Sequence, residues 1–100
     1  MAENDELPEL KGIFSAPQRM TIMFLLYLHR RVKFKDMQKL LNLTPGNLDH
    51  HVRKLKQTGY VKTRYLLSWR PLVVIEMTER GAEAFRDYAV RLRKLLERIE

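Results

Sequence analysis

Residues 35–59, KDMQKLLNLTPGNLDHHVRKLKQTG, constrain the fold more than any other part of this chain. Met37, Leu40 and Leu41 are spaced for the inward side of a short helix, and Asn42, Leu43 and Thr44 form the turn after it. Thr44 reads as the N-cap of a second helix. Pro45 takes its first position, where no backbone N–H is needed. Leu48, Val52 and Leu55 fall at i, i+4 and i+7 and define the core stripe of that helix. It runs to about Thr58, and Gly59 supplies the left-handed residue that stops it. Two short helices joined by so tight a turn predict a helix-turn-helix.

The flanking sequence extends this pattern. Leu10, Ile13 and Phe14 form an inward-facing turn. In SAPQRMTIMFLLYLHRR, Ser15 and Gln18 fit a capping box and Pro17 is tolerated in the first turn. Met20, Met23, Phe24, Tyr27 and Leu28 are spaced for a buried face, widened by Ile22, Leu25 and Leu26. A helix so apolar is expected at the centre of the domain. His29, Arg30 and Arg31 sit at its negative pole. Val32 and Phe34 lie on one side of a brief extended piece. YVKTRYLLSWRPLVVIEM predicts two strands around a loop near Ser68 to Pro71. Thr78 caps a long final helix, in which Gly81 permits a close approach.

The expected class is mainly α with a small β-hairpin wing. Residues 1–9 form an acidic tail, 10–82 the winged helix-turn-helix, and 83–100 a C-terminal dimerisation helix within the same compact unit.

Charge narrows the function. The chain carries +7 overall, and between His29 and Arg70 eleven bases face only Asp36 and Asp49. A basic block of this kind suggests a polyanion footprint, the alternative being a solvated basic surface with no partner. The absence of cysteine excludes disulfides, thiolate metal sites and thiol nucleophiles. With no signal-like run and no segment near the roughly 20 apolar residues of a membrane span, a cytoplasmic protein is expected.

Two stretches, LLNLTPGNLDHHVRKLKQTGYVKTRY and VIEMTERGAEAF, resemble the winged helix-turn-helix regulators of the MarR and ArsR type. The first matches at Leu43, Thr44, Asn47, His51, Leu55, Gly59, Tyr60 and Val61. In the second, Met77, Thr78, Glu79, Arg80 and Gly81 stand where the family carries Leu-Thr-x-x-Gly. The resemblance covers about residues 15–88. It implies a dimeric DNA-binding repressor or activator, with helix 45–58 in the major groove and the wing on the backbone or minor groove. The tip Ser68-Trp69-Arg70-Pro71 departs from the acidic-x-arginine tip common in MarR proteins, and the cysteine metal-sensing motif of many ArsR proteins is absent.

The residues themselves support a groove-reading helix. With Leu48, Val52 and Leu55 inward, Gly46, His50, Arg53 and Gln57 trace the opposite stripe, beside Asp49 and flanked by Asn47 and Lys54. Pro45 and Gly46 keep the helix start slim, and amides there can hold a phosphate. Arg53 suits a bidentate contact with guanine and Asn47 one with adenine. Asp49 either accepts from cytosine, restricts register by repelling phosphates, or stabilises the helix start. Lys54, Lys62, Arg64 and Arg70 suit phosphate contacts. His50 faces outward as a donor, whereas His51 is expected half-buried and bonded to a backbone group. Trp69 has three possible surfaces: DNA, a partner subunit or its own core.

Asp49, His50 and His51 do not form a metal site by this reading, because neighbours on a helix point about 100° apart. No nucleophile–base pair, phosphate loop or carboxylate pair is evident, so no enzyme and no cofactor is expected. A small-molecule effector is left open.

In the last helix, Phe85, Tyr88, Ala89, Leu92, Leu95, Leu96 and Ile99 recur every three or four residues. So long a stripe on so small a domain predicts a homodimer that binds double-stranded, palindromic DNA, the alternative for the stripe being packing on the first helix alone. The alternative functions are a winged-helix protein–protein adaptor, which typically lacks a basic recognition face, and a non-specific architectural DNA binder.

Overall fold

The computed structural model describes residues 12–67 and 72–99. A 3-10 turn, Ile13–Ser15, leads into α1 (Pro17–His29), β1 (Arg31–Lys33), α2 (Phe34–Leu41), α3 (Pro45–Gln57), β2 (Val61–Leu66), β3 (Leu72–Met77) and α4 (Glu79–Ile99). The expected order of elements is present. The acidic tail, Leu10, and the wing residues Ser68 to Pro71 lie outside the described residues. No described helix is long and apolar enough to cross a membrane.

The helix-turn-helix forms as its local signals dictate. Asn42 takes a left-handed conformation (φ 54°) at the end of α2, a conformation its short polar side chain tolerates. Thr44 Oγ1 accepts from the Asn47 amide at 3.1 Å, and Pro45 opens α3. Gly59 ends it with φ 82°. Leu48, Val52 and Leu55 are buried, and each contributes about 1.5–3 kcal/mol by leaving water. They share one core with Ile22, Met23 and Leu26 of α1, Met37 of α2, and Val61, Ile75 and Met77 of the sheet.

Several expectations need correction. Ser15 does not cap α1: it ends the 3-10 turn, Ala16 stands at the N-cap, and α1 has no side-chain cap bond. Nor is α1 buried all round. Phe24 is 51% exposed and Leu28 60% exposed, because the fully buried side of α1 is the one carrying Ile22, Met23 and Leu26, with Met20 and Leu25 half-buried beside it. Leu40 likewise points outward, while Met37 fills the core. Phe34 opens α2 rather than extending β1.

The wing is also more than a hairpin. β1 joins it to make an antiparallel sheet in the order β1-β3-β2. Val32 pairs with Ile75, and Thr63 pairs with Ile75 from the other side. A three-residue strand is too short to signal pairing by itself. The link between Arg30 O and Met77 N, 2.9 Å, aligns it with β3.

Thr78 ties the turn after α3 to the start of α4. Its hydroxyl donates to Gly59 O at 2.6 Å and accepts from the Gly81 amide at 3.0 Å, capping α4 as expected. Phe85 and Tyr88 of α4 then pack on Phe14, with ring centroids 6.3 Å and 4.9 Å away.

Candidate nucleic-acid interface

The core stripe of α3 leaves its opposite side outward. Gly46, Asn47, Asp49, His50, Arg53, Lys54 and Gln57 are all exposed, as are Thr44 and Pro45 at its start. A Cβ at Gly46 would meet nothing within 4 Å, so the slim start faces open space. Asn47 gives its backbone N–H to the cap, and its side chain stays outward.

Asp49 and Arg53 hold each other. Arg53 Nε donates to Asp49 Oδ2 at 3.0 Å across one turn. Both side chains are more than half exposed, so the pair adds only about 0.3–0.5 kcal/mol to the helix. Its weight is geometric: Asp49 holds the guanidinium along the outward stripe and is itself partly neutralised.

His51 is half-buried, but its partner is not a backbone group. Arg19 Nη1 of α1 lies 3.4 Å from His51 Nδ1, and Arg19 Nε donates to Ile13 O at 2.8 Å. Burial holds the His51 pKa below its ordinary 6.5, and the nearby Arg19, His50 and Lys54 push it further the same way. His50 is exposed and meets His51 edge-on, with ring centroids 5.5 Å apart.

Lys62 and Arg64 do not join the α3 stripe. Strand alternation puts Val61, Ile75 and Met77 on the core side, and Lys62, Arg64, Arg31 and Glu76 on the outer face. Glu76 is 8% exposed and lies at the centre of that face. Arg31 Nε, Lys62 Nζ and Arg64 Nη1 surround its carboxylate at 3.9, 3.5 and 3.7 Å. Glu76 Oε1 has no hydrogen-bond partner, although Lys62 sits at ion-pair distance from it. Both hold, because 3.5 Å with unsuitable angles is attraction without a hydrogen bond. Lys56 Nζ of α3 reaches Thr63 Oγ1 at 3.2 Å and links the helix to the wing. Arg70 lies outside the described residues.

Arg19, Arg31, Lys56 and Glu76 were not among the residues expected from sequence. Glu76 did leave a signal. It is a lone acid in an apolar strand, beside two strands carrying bases at alternate positions, Arg31 and Lys33, and Lys62 and Arg64. Arg19 left none, since its contact spans thirty-two positions.

On α4, Phe85 and Tyr88 are each 5% exposed within the single chain, which leaves them little surface for a partner. Leu92 and Leu95 are half-buried, while Ala89, Leu96 and Ile99 are exposed.

The chain is similar to known proteins in sequence and in fold. A family model described as a winged helix DNA-binding domain matches residues 18–96. An uncharacterised protein of Methanocaldococcus jannaschii is 36% identical over 89 residues, which cover 88% of this chain and 97% of that protein. The structure of a transcriptional regulator homologue from Pyrococcus horikoshii superposes with a TM-score of 0.89 at 37% identity, over 96% of this chain and 98% of that one. YusO from Bacillus subtilis shares the fold with a TM-score of 0.80 at 12% identity, over 98% and 70% of the two chains.

Proposed function

The chain belongs to the winged helix DNA-binding domain family, and from that premise we propose that it regulates transcription as a homodimer that binds double-stranded DNA at preferred sites. The Pyrococcus relative, a transcriptional regulator homologue, agrees with the MarR and ArsR resemblance of the two sequence motifs.

The observation that carries the proposal is the outward stripe of α3. Its start is narrow, and Arg53 is held along it by Asp49 without being buried. An α-helix of this kind fits the major groove, where base edges differ in their donors and acceptors. Arg53 reads guanine, Asn47 and Gln57 contact neighbouring edges, and Asp49 disfavours wrong registers. His50 and Lys54 reach the groove walls. Lys62, Arg64 and Arg70 follow the backbone along the wing, and the amides behind Thr44, Pro45 and Gly46 meet a phosphate.

The dimer forms through α4, chiefly by Ala89, Leu92, Leu95, Leu96 and Ile99, with Phe85 and Tyr88 as the base on which that surface rests. Two-fold symmetry places two α3 helices about one DNA turn apart and selects a palindromic site. The test is selection of bound fragments from random duplex DNA, repeated with Arg53→Ala. A recurring motif with two related halves, weakened by the substitution, is the expected result. Binding without any enriched motif would leave only a non-specific architectural role.

A further inference from the structure

A guanidinium can only donate hydrogen bonds. With Arg19 Nη1 facing His51 Nδ1, that nitrogen must present its lone pair, and the neutral ring carries its proton on Nε2. Arg19 cannot easily turn away, because Ile13 O anchors its Nε at 2.8 Å. His51 Nε2 makes no hydrogen bond among the described residues and is not sealed from solvent. The ring stands on the flank of α3, between the core stripe and Lys54. The flanks of a helix in the major groove face the phosphates that line it, not the base edges.

We propose that Arg19, His51 and Lys54 form a phosphate-binding unit in which Arg19 is the positioning residue: it sets the tautomer that presents His51 Nε2–H, beside Lys54, to one DNA phosphate. The unit rests on α3 lying in the major groove. A histidine placed for packing alone would be served by a backbone carbonyl. An arginine partner instead dictates which nitrogen is the donor and adds no counter-charge to compete with DNA.

The groups facing the ring are Arg19 from α1 and His50 and Lys54 from α3, and all of them disfavour its protonation. His51 therefore contributes as a neutral donor. Each cation that neutralises a phosphate steepens the salt dependence of binding, whereas a neutral donor does not. This separates its role from that of Lys54.

The test uses the full chain, a duplex carrying the selected site and a competitor duplex, at a pH above 6.5. His51→Leu removes the donor, and His51→Gln keeps an N–H near the same place. Arg19→Met releases the tautomer, and Arg19→Lys keeps a donating cation. Loss of a hydrogen bond to a charged group predicts weaker binding by roughly tenfold to a hundredfold for His51→Leu and Arg19→Met. The loss is equal on both duplexes, with the salt slope unchanged. His51→Gln and Arg19→Lys stay within about twofold of the parent by the same reasoning.

Nitrogen-15 spectra of the parent's histidine rings give a readout that no variant's folding can spoil. The expected result is a His51 proton on Nε2 that shifts on adding DNA. A proton on Nδ1, no shift with DNA, or wild-type affinity in a folded His51→Leu overturns the unit. Arg53→Ala in the same titrations keeps the two readings apart. If it abolishes site preference while the Arg19 and His51 variants change nothing, α3 reads the groove without this unit. A parent chain that binds no duplex overturns both.

Discussion

The backbone of α4 at Gly81 lies directly against the carbonyl of Tyr60, where a Cβ would collide with the carbonyl oxygen and stand 2.9 Å from its carbon. Thr78 braces the same point, accepting from the Gly81 amide and donating to Gly59 O. The end of α3, the start of β2 and the start of α4 thus meet at one backbone contact.

Gly81→Ala tests that contact. Alanine gains about 1 kcal/mol of helix propensity. Overpacking against backbone, which cannot rotate away, costs about 1–3 kcal/mol or more. The collision wins, and the expected net loss is about 2 kcal/mol in denaturant unfolding. Unchanged stability would mean that α4 can slide off Tyr60.

Arg53→Ala separates reading from folding. Its ion pair with Asp49 is exposed, so stability changes by less than about 0.5 kcal/mol. A lost bidentate contact to guanine lowers affinity for the selected site about tenfold or more, while competitor binding falls far less. Thermal melts and competition titrations on one preparation measure both. Equal losses on the two duplexes would reduce Arg53 to a phosphate contact.

His51 makes stability depend on pH with a definite sign. Its folded pKa lies below 6.5, so on acidification the unfolded chain binds the proton first. Its contribution is intact above about 6.5, falls as the pH drops through that value, and levels off once the folded ring is also protonated. His51→Gln removes that segment of the stability profile. Superimposable pH profiles of parent and variant would contradict the assignment.

Glu76 holds three cations on the outer face of the sheet. Glu76→Gln keeps the shape but leaves Arg31, Lys62 and Arg64 facing one another. The bases are more than half exposed, so water screens much of the repulsion, and a loss of about 1–2 kcal/mol is expected. The loss shrinks as salt rises. A deficit indifferent to salt would point to packing rather than charge.

Leu96 is 53% exposed and Ile99 78% exposed. Changing both to glutamate therefore barely disturbs the single chain, yet it places charge in the proposed dimer surface. Sedimentation should show a dimer for the parent and a monomer for the variant, with affinity for the two-halved site reduced. A monomeric parent would remove α4 as a dimer helix.

The sequence alone determined the features whose causes are local. Thr44, Pro45 and Gly59 bound α3 through hydrogen bonds and backbone angles that a few neighbouring residues decide. The spacing of Leu48, Val52 and Leu55 selects one face of a helix wherever that helix lies. The outward stripe from Gly46 to Gln57 was legible for the same reason, as the complement of the core stripe. What only the tertiary structure decided depends on elements far apart in the chain. The apolar residues of α1 surround the helix, so periodicity could not choose between Phe24 and Ile22, and packing against α3 and the sheet did. β1 became a strand because β3 offered it partners. His51 met Arg19, and Phe85 and Tyr88 closed on Phe14, because folding brought those groups into contact; their spacing carried no record of it, whereas the alternation of Arg31 and Lys33, and of Lys62 and Arg64, beside the lone acid Glu76 left a partial one.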